Sequence, residues 1–266
     1  MSTQTITSKN TIKPSFNWRL LSILLVMVAI GLLALIPYGL TLEGKSFSAE
    51  MIPQLIPQFI IQVVLYTILI WVGLKLGQKI GLGAPKLEGW LTGEKGLITA
   101  KSIGTVILIG LGAGLLMILL DVYVFVPKLE TQLQSLGETV RPSAWQGFLA
   151  SFYGGIVEEV MTRLFLLTLL AWLGSKISHT DDGKPTPVVM WIAILIAGLI
   201  FGIGHLPTVA AMGILLTPLY IVRTLVLNLA GIIYGWLYWK RGLESAMLAH
   251  FSTDIAVHVL GALLLS

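Results

Sequence analysis

Residues 148–173 read FLASFYGGIVEEVMTRLFLLTLLAWL. A bilayer-crossing helix needs about 20 predominantly apolar residues, and this run supplies them. At its centre, however, stand Glu158, Glu159 and Arg163. A charge at mid-bilayer costs at least about 2.5–3.5 kcal/mol on insertion scales, so ionisable residues there are retained for function by default.

Composition extends this reading to the whole chain. Of 266 residues, 56% are hydrophobic and 11% charged, where a soluble domain carries about 25% charged residues. The class is therefore an all-α polytopic membrane protein, whose length allows seven or eight transmembrane helices. The net charge of +4 comes from Lys and Arg placed between the apolar runs; that pattern sets topology and is no nucleic-acid surface. Cysteine is absent, which excludes disulfides, thiolate metal sites and a cysteine nucleophile.

The apolar runs follow in order. A polar tail, residues 1–17, precedes a first span from Trp18 to about Leu42, too long for a signal-peptide core and expected to be retained. A second runs from about Ile52 to Leu76, with Pro53 and Pro57 near its start, where proline does least harm. The third, Ser102 to Val126, is glycine-rich and expected to end at Pro127; Lys128 to Arg141 reads as a short interfacial helix. The fourth is Ala144 to Leu173, followed by a hydrophilic loop and a fifth, Val188 to His205, stopping at Pro207. Thr208 to Arg223, broken by Gly213 and Pro218, reads either as a sixth span or as a half-span that returns. Leu219 to Trp239 and Ser245 to Leu265 complete the set. Residues 18–142 thus form an N-terminal helical part, and 143–266 a core that holds the buried charge. Lys9, Lys13, Arg19 and the Lys75–Lys101 loop make the N-terminus cytoplasmic, in a plasma or inner membrane, and Lys176 and Lys184 agree.

Three segments carry the intramembrane ionisable residues: Glu158, Glu159 and Arg163; His205; and His250, Asp254 and His258. Glu159 and Arg163 are i,i+4 and can pair on one face. That leaves Glu158, about 100° round the helix, as the free carboxylate. On the His250–Asp254–His258 stripe, Asp254 can accept a hydrogen bond from His250 and fix its tautomer. Plainer readings exist: Glu159–Arg163 as a structural clamp, His205 and His258 as polar packing, His179 in a loop, Asp121 and Arg223 snorkelling from span ends. The set taken together favours chemistry, because a carboxylate base and imidazoles on adjacent apolar helices can activate water and stabilise an oxyanion. No His-Glu-x-x-His zinc motif and no nucleophile-elbow serine is present, so direct attack of water on a carbonyl is the natural reaction.

Glu158-Glu159-Val-Met-Thr-Arg163 resembles the Glu-Glu-x-x-x-Arg motif of the CPBP family, the CAAX-processing and bacteriocin-processing intramembrane proteases. Phe201-Gly-Ile-Gly-His205 resembles that family's Phe-x-x-x-His motif, and His250-Phe-Ser-Thr-Asp254 its final His-x-x-x-Asn/Asp motif. Asn228 to Gly231 and Gly235 look like its glycine-bearing helix. The resemblance, from about Trp145 to Val259, implies an eight-helix bundle whose site lies in a cavity opening to the cytosol. It implies cleavage of membrane-associated or lipidated substrates, with Glu158 and His205 activating water and Glu159 and Arg163 shaping or neutralising the site. His250 and residue 254 would position the water or stabilise the oxyanion. Members are described as glutamic-type or metal-dependent, and the residues permit either: no cofactor, or a divalent metal such as zinc on Glu158, His205, His250 and Asp254. Asp254 stands where eukaryotic CAAX endopeptidases have Asn; an ionised Asp only accepts, so orienting His250 or completing a cation site suits it better than binding an oxyanion. The partners implied are a peptide or protein substrate at the membrane and the lipid bilayer, with no nucleic acid. Two other functions stand beside the protease: a non-proteolytic membrane protein of bacteriocin immunity or scaffolding, and a proton-coupled transporter. Against the transporter, the first half holds no inverted counterpart of the charges.

Overall fold

The computed structural model describes residues 16–96, 99–134 and 142–264. These are helical with no strand among them; an isolated bridge, His179 with Pro185, lies in a loop. Helix α1, Trp18–Leu42, begins where Asn17 Oδ1 accepts from Leu20 N–H at 3.0 Å, capping the first turn as the chain leaves its polar tail. Helix α2, Ile52–Ile80, ends at Gly81 with φ +75°, a left-handed position that glycine takes without strain. A short α3, Pro85–Thr92, precedes α4, Ala100–Leu120, which continues through a π turn, Asp121–Phe125, into Val126–Gln134. Helix α5 is unbroken over 144–174; α6 is Pro187–Ala211, α7 Pro218–Arg241 and α8 Leu243–Leu264.

The runs α1, α2, α4, α6, α7 and α8 are long and apolar enough to cross a membrane, and α5 is as long with its added charge. The protein is a multi-pass integral membrane protein. Its outward side chains are aliphatic, as with Leu108, 70% exposed, and Ile61, 66% exposed, which water would not tolerate in such density.

Alternating helix directions gather the Lys-rich loops at one end. There Leu87 N–H donates to Glu244 at 2.7 Å, and Lys86 Nζ donates to Ser245 Oγ at 2.9 Å and to the Arg241 carbonyl. Burial at this junction holds Lys86 below the usual lysine range, although Glu244 pulls the other way. At the opposite end Gln146 Nε2 donates to the Pro37 carbonyl at 3.0 Å, and Gln132 Nε2 to the Leu215 carbonyl at 2.6 Å.

Pro127 does not end the third span. The π turn before it bonds Val126 N–H to the Asp121 carbonyl, five residues back, and this widened turn absorbs the proline ring and its missing N–H. The segment expected as an interfacial helix, 128–141, is in part the tail of α4; beyond 134 it lies outside the described residues. Between α6 and α7 the chain turns back rather than crossing. Helix α6 runs past Pro207 to Ala211, and Gly213, at φ +77°, reverses the direction, so the crossing runs number seven among the described residues.

Helices α4 and α8 approach most closely where both present small residues. Thr253 Oγ1 donates to the Gly110 carbonyl at 2.9 Å, and a Cβ on Gly114 would stand 2.6 Å from Ala256 Cβ and 2.7 Å from the Thr253 carbonyl. In hydrocarbon, packing at such small residues substitutes for hydrophobic drive between helices. Replacing Gly114→Leu is expected to cost about 1–3 kcal/mol. Thermal unfolding in detergent measures it, and an unchanged midpoint would contradict the contact.

Candidate active site

Residues 153–158 and 160–167 of α5 wind as π turns. The Thr168 N–H bonds the Arg163 carbonyl, five residues back; such winding is rare and frequent at functional sites. Gly154 and Gly155 lie where this widened helix meets α8. A Cβ on Gly154 would strike the Asp254 carboxylate and stand 3.3 Å from His250 Nε2. The two helices can therefore touch, and both adjacent glutamates reach one imidazole.

Glu159 is fully buried. Its Oε1 lies 3.0 Å from Arg163 Nη1 and 2.8 Å from His250 Nδ1. Arg163 is buried as completely; its Nη2 donates to the Gly231 carbonyl at 2.8 Å, and its Nη1 also reaches the Thr162 hydroxyl. The guanidinium sits 5.0 Å from the Phe201 ring centre and 5.3 Å from that of Tyr234, within cation–π range of both. A carboxylate facing a guanidinium is ionised and only accepts, so His250 carries a proton on Nδ1. Its Nε2 then faces Glu158 Oε2 and Asp254 Oδ1, each 3.7 Å away. Tyr234 stacks on the imidazole with ring centres 4.5 Å apart and planes at 17°, and the edge of Phe201 closes another side.

Two expectations change here. Asp254 does not fix the His250 tautomer, because 3.7 Å is beyond hydrogen-bond reach; Glu159, turned inward by the π winding, bonds Nδ1 instead. Nor do Asp121 and Arg223 snorkel separately. Arg223 Nε and Nη2 donate to the two Asp121 oxygens, both at 2.6 Å, since two partly desolvated charges satisfy each other better than a long reach to the interface does.

His205 ends the first stretch of α6. Its Nδ1 bonds the Phe201 carbonyl at 2.9 Å, which puts the proton on Nδ1 and leaves Nε2 an acceptor in the neutral ring. The α8 stripe divides: His250 and Asp254 belong to the charged cluster, while His258 pairs with the Tyr38 hydroxyl at 3.1 Å and lines a cavity of about 610 Å³. Phe201 was quoted from the sequence only as the start of the Phe-x-x-x-His motif, not as a wall; the other wall, Tyr234, and the partner Tyr38 were not singled out. Tyr234 had a usable signal, lying one turn after Gly231 on the same helix face; Tyr38 had none. Among the described residues, no three His, Asp or Glu side chains converge so as to hold a metal ion.

Residues 140–256 match the family model described as type II CAAX prenyl endopeptidase Rce1-like. No curated protein and no solved structure matches the chain.

Removing Arg163 would strand a buried carboxylate. Arg163→Met is expected to lose about 3–5 kcal/mol of stability, and the double variant Glu159→Leu/Arg163→Met to regain much of it. Equal losses in the two, measured by unfolding in detergent, would show the pair to be uncoupled.

Proposed function

We propose that this chain, whose residues 140–256 match the Rce1-like CAAX endopeptidase model, is an intramembrane endopeptidase in which Glu158 activates the attacking water directly. The supporting observation is the unequal state of two neighbouring carboxylates. Glu159 is bound to Arg163 and His250 with no exposure, whereas Glu158 is 17% exposed and its nearest cationic partner is His250 Nε2 at 3.7 Å. One glutamate shapes the site; the other is available to react.

As base, Glu158 takes a proton from water while the water oxygen bonds to the scissile carbonyl carbon. His205 accepts from the same water through Nε2 and aligns it. The oxyanion needs a donor, and His250 in its doubly protonated form supplies Nε2–H while Glu159 keeps Nδ1. Collapse breaks the C–N bond, and the proton held by Glu158 passes to the leaving nitrogen. Asp254, an acceptor only, offsets the His250 charge. The aromatic walls Tyr234 and Phe201 exclude water and so strengthen every electrostatic interaction inside. Arg163 is a positioning residue that acts through Glu159. We assign water activation to the carboxylate; were a divalent metal bound instead, Glu158 and Asp254, each with an oxygen 3.7 Å from His250 Nε2, would hold it together with that nitrogen, and it would supply Lewis-acid activation of the same water. The substrate is a peptide or protein segment at the membrane, lipidated or otherwise membrane-associated.

Glu158→Gln and His205→Ala should each cut cleavage of a membrane-tethered reporter peptide by about 10²–10⁴-fold without moving the thermal midpoint. Full proteolysis by both variants would overturn the assignment. Chelator-treated, metal-free protein should remain active; activity lost on chelation and restored by zinc would overturn the metal-free mechanism.

A further inference from the structure

The hairpin of α7 and α8 has a fixed register. It turns at Gly242, whose φ of +87° favours glycine, and Leu243 N–H staples the turn to the Gly83 carbonyl at 2.9 Å. Two antiparallel helices leaving one turn rise equally, so residues equally far from Gly242 stand opposite each other. Tyr234 and His250, each eight residues from Gly242, are such a pair. Glycines hold α7 in this place. Gly231 gives its carbonyl to Arg163, and a Cβ on Gly235 would stand 3.0 Å from Ile194.

Glu159 alone does not hold His250. The bond at Nδ1 fixes one point of the imidazole, and χ2 of histidine is a broad torsion, so the ring can still tilt about that bond. Tyr234 removes the tilt by lying face to face with the imidazole, centres 4.5 Å apart and planes within 17°. The tyrosine is fixed in its turn. It is 1% exposed, its hydroxyl reaches Thr253, and Thr253 Oγ1 donates to the Gly110 carbonyl of α4 at 2.9 Å. Arg163 sits 5.3 Å from the same ring centre.

We propose that Tyr234 is a positioning residue of this site that acts through His250: the stacked ring fixes the imidazole plane and so aims Nε2 between Glu158 and Asp254. The stack rests on geometry alone; its consequence for turnover rests on the protease reading. Excluding water needs only volume, whereas fixing a plane needs an aromatic face. An aliphatic or thioether side chain would fill the space and leave the imidazole free to tilt.

Tyr234→Leu and Tyr234→Met remove the ring. Each is expected to lower kcat for a membrane-tethered reporter peptide about 10–100-fold with KM unchanged, and Tyr234→Phe to stay within about threefold of wild type. Full kcat in the Leu and Met variants would reduce Tyr234 to a space-filler and overturn the proposal. A Phe variant as slow as they are would overturn it too, by assigning the effect to the hydroxyl. NMR of histidine-labelled protein in detergent reads the stack without activity. The His250 ring protons, assigned by their loss in His250→Gln, should lie upfield in wild type and Tyr234→Phe, displaced by the aromatic ring current. They should return to the ordinary position in Tyr234→Leu. Undisplaced protons in wild type would refute the stack. Absence of cleavage by wild type would instead count against the protease reading, with the ring current still deciding whether Tyr234 holds His250.

Discussion

A guanidinium held away from water governs this structure. Arg163 has five N–H donors and no access to solvent, so the fold must satisfy it from within. Glu159 and the Thr162 hydroxyl do so from α5, the Gly231 carbonyl from α7, and the faces of Phe201 and Tyr234 from α6 and α7. Through Glu159 the same charge reaches His250 on α8. Four helices are thus keyed to one cation. Desolvating it costs several kcal/mol that the ion pair does little more than offset. The gain lies in register: no slip of α5 against α7 or α8 keeps all these partners.

The N-terminal helices, which contribute no motif, prove to be the wall behind the site. Gly73 of α2 lies against the Leu164 carbonyl, where a Cβ would come within 2.5 Å, and Gly31 of α1 lies against Val157 and Phe152. These close approaches press α1 and α2 onto the π-wound part of α5 from the side away from α8. Tyr66 of α2 and Tyr153 of α5 border Glu158 there. The site is therefore held from both sides, by small-residue packing on one and by the ion network on the other.

Much of this was legible in the sequence, for physical reasons. Hydrocarbon demands long apolar helices, so the spans were readable from composition; buried charge is costly, so Glu158, Glu159, Arg163 and His250 stood out. The i,i+4 spacing of Glu159 and Arg163 anticipated their pairing. What spacing could not give was winding. On an α-helical wheel Glu158 turns away from Glu159, and only the π turns bring both to one imidazole. The same blindness led Pro127 to be read as a helix end and Asp254 as the partner of His250. Asp121 and Arg223 are a hundred residues apart on different helices, and no local pattern could announce that they meet.

The π winding of α5 also bears on how such a gene can vary. A π turn accommodates more residues than an α turn, so it behaves as an insertion stored in the helix. Loss of one codon within 153–167 would let the segment relax to α-helix with its ends still in place, turning the residues between the deletion and the relaxed turn by about 100° relative to the helices around them. Substitutions there are judged by size; deletions would be judged by rotation. In this helix length is therefore under tighter constraint than composition, the reverse of what holds for an ordinary membrane span, where residues can be added at the ends and absorbed by tilt.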